Sequence, residues 1–148
     1  MREIKFRGKR ISNGSWVYGG IYKTFHPNYD SDCYAICADG RDYFVEQNTI
    51  GQFTGLYDKY DKKIFTGDIV NFLGQIGEVV FEKGAFGIGF NDTIDWSAID
   101  ESSPLYEISA CKNDNFISLW EIYWNFNDED DILGLVEVIG NVFEDKIK

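Results

Sequence analysis

A chain of 148 residues with 44% apolar and 17% aromatic content can bury a good core, so wholesale disorder is excluded. Its net charge of −11 and pI near 4.4 oppose bulk binding to nucleic acid; they fit solubility, or an acidic face that meets a basic partner.

The elements read as short strands between turns. Ile4–Ile11 alternates, with Ile4 and Phe6 on one side and Lys5, Arg7 and Lys9 on the other. Asn13-Gly14 marks a hairpin turn, Trp16–Tyr18 returns, and Gly19-Gly20 predicts a bend before Ile21-Tyr22. Residues 26–42 are polar, with a short strand at Cys33–Cys37 and a reversal at Asp39-Gly40 before Tyr43–Val45. Gly51–Val70 organises the chain: a β-hairpin whose polar tip, Tyr57–Lys63, is expected to bury little, with Gly55 and Gly67 where the backbone must reverse or bulge. Strands follow at Asp68–Leu73, Glu78–Glu82 and Ala85–Phe90, the last with small residues opposite Phe86, Ile88 and Phe90, as a strongly curved sheet requires.

Asn91–Pro104 is acidic and irregular, with a helical turn expected near Ile94–Ile99. Leu105–Cys111 and Phe116–Trp124 read as a hairpin. Ile117, Trp120 and Trp124 also fit a helix, but the aromatic and β-branched content favours strand. Asn127–Asp131 is a solvated acidic loop, Leu135–Val142 a last strand broken by Gly140-Asn141, and the final residues fray or form a short helical end. The expected fold is mainly β: short-stranded hairpins, little helix, and a small SH3-like, partly open barrel in the second half. Composition shifts divide this single domain into lobes of 1–50 and 51–148.

Charge is segregated. Residues 1–25 carry six Lys/Arg against one Glu, a balance of +5, which leaves −16 for the rest. Lys5, Arg7, Lys9 and Arg10 beside Trp16, Tyr18 and Tyr22 form a candidate nucleic-acid surface, since cations with aromatics suit stacking on single strands. The net charge favours the other reading, core aromatics and paired cations. Residues 91–131 hold one Lys against eleven Asp/Glu, together with Trp96, Trp120, Tyr123 and Trp124, which are candidate protein-interface anchors. The segregated charge also allows head-to-tail homo-oligomers.

No catalytic constellation is visible, so an enzyme is not expected. His26, the sole histidine, lies in a loop, and no Gly-x-Ser-x-Gly elbow or phosphate-binding glycine motif occurs. His26, Cys33, Cys37 and Cys111 lack the spacing of a zinc knuckle. Asp128–Asp131, Asp30 and Asp32 lack the glycine and terminal glutamate of an EF-hand loop. No metal and no cofactor are expected. No signal peptide opens the chain and no stretch is long enough to span a membrane, so a cytoplasmic protein with reduced thiols is expected.

Blocks in order, Arg2–Lys9 with Gly14–Gly19, then Gly51–Leu56, Asp58-Lys59 and Gly67–Val70, and last Val136–Glu144, resemble the YopX-like proteins of bacteriophages and prophages. The stretch from Gly89 to Leu133 departs from that pattern. The resemblance implies a mainly β, phage-encoded accessory protein and no established activity. The expected function is therefore a non-catalytic module that binds a host or phage protein. The alternatives are a nucleic-acid binder using the basic hairpin, or a small-metabolite or nucleotide binder or enzyme.

Overall fold

The computed structural model describes residues 5–25, 32–82, 84–90, 100–102, 115–126 and 128–144. Among them are eleven strands in antiparallel sheets and one α-helix. The chain divides into two compact units, 1–53 and 54–148.

In the first unit, β1 (Phe6–Lys9), β2 (Trp16–Phe25), β3 (Asp32–Ala38), β4 (Arg41–Val45) and the start of β5 (Gly51–Tyr57) lie in the order β4-β3-β2-β1-β5. The β1–β2 turn is set by Asn13, whose Oδ1 accepts the Ser15 N–H at 3.0 Å. β2 changes partner at its paired glycines. Trp16–Gly19 face β1, and Gly20–Phe25 face β3. At Gly19 the β3 backbone comes so close that a methyl group would overlap the Cys37 carbonyl oxygen. The sheet curls until β4 meets the chain at the end of β1: Arg10 bridges Val45, the Ile11 N–H donates to Phe44 O at 3.0 Å, and the Glu46 N–H donates to Lys9 O at 2.9 Å. Ala35, Ile36, Val45 and Phe53 are buried in this unit.

The second unit holds the rest of β5, β6 (Lys63–Phe65), β7 (Asp68–Phe72), β8 (Gln75–Glu82), β9 (Ala85–Phe90), β10 (Phe116–Ser118), α1 (Leu119–Asn125) and β11 (Val136–Asn141). Its five-stranded sheet runs β10-β9-β8-β7-β11. Successive hairpins with the last strand returned beside the first give the strand order of a small SH3-like barrel. No ladder joins β10 to β11 among the described residues, so the sheet stays open. Val70, Phe72, Val79, Ile88, Ile117, Leu119, Ile122, Leu133 and Val136 are fully buried within it. At roughly 1.5–3 kcal/mol for each large apolar side chain, this cluster dominates the unit's stability.

Three expectations need correction. Phe116–Trp124 is not one strand: it pairs with β9 only through Ser118, then becomes helix. Ser118 caps that helix, its Oγ accepting the Glu121 N–H at 3.1 Å, and Leu119 and Ile122 bury at helical spacing. Ser118→Ala is expected to cost about 1 kcal/mol, the usual worth of such a cap; an unchanged urea midpoint would refute the capping role. Residues 105–111, its expected hairpin partner, lie outside the described residues, as do Ile94–Ile99 and the chain end beyond residue 144.

Gly140-Asn141 does not break the last strand. The register slips between Val138 and Gly140, and β11 continues through Asn141 because a bulge absorbs the extra residue. Nor is the central tip wholly solvated. Asp58 is only 1% exposed. Its Oδ1 accepts the Tyr60 and Lys62 N–H groups, both at 2.9 Å, and its Oδ2 accepts the Val138 N–H at 2.9 Å. With the Lys59 N–H donating to Val136 O at 2.9 Å, the tip covers the outer edge of β11.

Burial holds the Glu78 carboxyl on β8 above the ordinary carboxylate range. As pH rises through the window between the ordinary and the raised value, the unfolded chain ionises first and the fold loses stability. Glu78→Gln removes that decline, so its urea midpoint is expected to gain on the parent's as pH rises above the ordinary carboxylate range. A difference that does not change with pH would refute this.

Candidate aromatic interface on the helix

The feature that stands out on the second unit is α1. Its seven residues alternate in role around the axis. Leu119 and Ile122 face the core, Tyr123 and the C-cap residue Phe126 pack against it in part, and Trp120 and Trp124, one turn apart, face outward. Trp120 is 57% and Trp124 67% exposed. The three outer rings form a cluster: Trp120 to Tyr123 at 5.2 Å, Trp120 to Trp124 at 5.8 Å, and Tyr123 to Trp124 at 5.8 Å and nearly perpendicular. Phe126 meets Phe72 edge-on at 6.0 Å, which ties the helix end to the core. Trp96 lies outside the described residues.

The chain leaves the helix into the acidic loop. The Asp128 N–H donates to Tyr123 O at 3.1 Å, and Asp128 Oδ1 accepts the Gly134 N–H at 3.2 Å. Burial raises the Asp128 carboxyl above its ordinary range, and the Gly134 hydrogen bond opposes that shift. Glu129, Asp130 and Asp131 are exposed. Among the described residues no three His, Cys, Asp or Glu side chains are placed to hold a metal. Cys33 and Cys37 lie on one strand, about 13 Å apart at the rise of a β-strand, too far for one tetrahedral ion. His26, Asp30 and Cys111 lie outside the described residues.

The basic residues do not form one patch. Arg7 is buried and lies 4.9 Å over the Trp16 ring, with the Lys9 ammonium 5.7 Å from the same ring. Arg10, of opposite parity on the strand, lies 4.6 Å over Tyr43. Lys5 is half-buried just before β1, where its carbonyl accepts the Phe53 N–H at 2.8 Å. Trp16 therefore already serves as a platform for the protein's own cations. Tyr18 and Tyr22 are exposed on β2.

A cleft of about 210 Å³ is lined by Lys59, Asn71, Leu73, Leu135 and Glu137 among others. Its polar groups are engaged locally: Lys59 with Glu137 at 3.7 Å, and Asn71 Oδ1 accepting the Gly74 N–H at 2.8 Å. The aromatic face of α1 was legible only in part from sequence. Ser118-x-x-Glu121 ahead of an apolar run is the capping signature that identifies the helix, and with it the outward pairing of Trp120 and Trp124.

No helix among the described residues is long and apolar enough to cross a membrane. No curated protein matches the chain. Among solved structures, it is similar to the crystal structure of protein EF1440 from Enterococcus faecalis, at 20% identity and a TM-score of 0.46, over 97% of this chain and 96% of that one. The family model described as "YopX protein" matches residues 5–146. That match begins inside the first sequence block, takes in the others and covers nearly the whole chain: the protein belongs to the YopX family.

Proposed function

We propose that this chain is a non-catalytic binding module, phage- or prophage-encoded and acting in the host cytoplasm, that docks a host or phage protein through the aromatic face of α1. The observation that carries this reading is the mutual packing of Trp120, Tyr123 and Trp124 with both indoles turned to solvent. Exposed tryptophans on a rigid element are the residues that most often anchor protein interfaces, because they bury large area at small entropic cost. The test is affinity capture from host lysate with the parent protein and with Trp120→Ser/Trp124→Ser side by side. A specific protein retained by the parent and lost by the double variant is expected. An identical set recovered by both would overturn the reading.

A further inference from the structure

The segment that carries the aromatic face is acidic, although the loop after the helix lies against the lysine-bearing central tip, where the Tyr57 N–H donates to Asp131 O at 2.8 Å and Lys63 lies 5.4 Å over the Tyr57 ring. Between Lys112 and Lys146 the chain contains nine Asp/Glu and no Lys or Arg. Glu121 is exposed on α1 itself, and no basic residue occupies the helix's last turn. The exposed run Glu129, Asp130 and Asp131 follows close behind it, joined to the helix by the Asp128–Tyr123 hydrogen bond. The two indoles are tilted 46° to each other, and each is more than half exposed.

We infer that α1 and the loop after it form a surface that reads positive charge, and that its occupant is an arginine- and lysine-rich segment of a partner protein. This rests on the protein-binding reading above and narrows it to one chemistry. A guanidinium stacks on an indole and at the same time donates in pairs to a carboxylate, so one arginine satisfies both features of the face. Other occupants meet a physical obstacle. A purely apolar segment would desolvate carboxylates without pairing them. Nucleic acid and anionic membrane would be repelled. The same face of a second copy would bring like charges together across a two-fold axis. In the first unit, Arg7 and Lys9 already stack on Trp16 and Arg10 on Tyr43, so that hairpin is a poor donor of cations to another copy.

The experiment titrates the full-length protein with a nona-arginine peptide, following tryptophan fluorescence and calorimetry. A nona-glutamine peptide of equal length is the neutral control. Trp120→Ser/Trp124→Ser leaves net charge unchanged and is expected to weaken binding by about tenfold or more, as the loss of two cation–π contacts implies. Glu129→Gln/Asp130→Asn/Asp131→Asn is expected to weaken it several-fold at low salt and to flatten its salt dependence. Asp39→Asn/Glu46→Gln/Glu82→Gln removes the same number of exposed charges elsewhere and is expected to change Kd by less than about twofold. Unchanged urea midpoints establish that each variant is folded. Equal binding by the tryptophan variant, or equal weakening by the two charge triples, overturns the inference. If the parent captures a protein through the tryptophans yet binds the neutral peptide as well as nona-arginine, the module reading stands and the cationic partner falls. A mass that grows with concentration in the parent and not in the tryptophan variant would assign the face to self-association and overturn the inference as well.

Discussion

Asp58→Ala is expected to lower the stability of the second unit by about 3 kcal/mol, the scale set by unmaking charge-assisted hydrogen bonds in a buried site. The carboxylate serves three main-chain donors: Tyr60 and Lys62 within its own turn, and Val138 across on β11. Alanine leaves all three without their acceptor at a position only 1% exposed. Asp58→Asn separates the contributions. One amide oxygen can still serve one side of the site, but the NH2 group opposes a donor on the other. Its loss is therefore expected to be intermediate. The measurement is urea unfolding followed by fluorescence, with the midpoint shifting at unchanged slope. A loss below about 1 kcal/mol for alanine would mean that the carboxylate is dispensable.

The second large effect is expected at Gly19→Ala, at about 3 kcal/mol, the upper end of overpacking costs. A β-carbon at this point on β2 would overlap the Cys37 carbonyl oxygen, and main chain cannot move aside as a side chain can. Gly20 is the internal control. Nothing lies within 4 Å of a β-carbon built there, so Gly20→Ala is expected to be neutral or slightly stabilising. Equal effects at the two glycines would show that chain flexibility, and not the close approach of β3, explains the pair. The cost falls on the first unit, whose curled sheet depends on β2 changing partner at this point.

Much of the fold was legible because it is local. Asn13-Gly14, Asp39-Gly40 and the punctuated stretch from Gly51 to Val70 each specify a reversal from a few neighbouring residues, and strands form where those reversals predict them. What was not legible is what distance along the chain conceals. Asp58 reads as a polar tip residue because its decisive partner, Val138, is 80 positions away. The end of β10 shows the opposite failure. Aromatic strand propensity runs unbroken through Phe116–Trp124, while a single capping serine decides where strand gives way to helix. Along the basic hairpin, alternation correctly placed Arg7 and Lys9 together, and the same parity sent Arg10 to Tyr43.

The contact between the central tip and β11 also sets a timetable. During synthesis residues 51–72 emerge long before 136–141, so Asp58 Oδ2 has no β11 donor until the closing strand has cleared the ribosome. So distant a pairing makes this docking a late folding event, and a nascent chain halted before Val136 keeps the outer side of β7 uncovered.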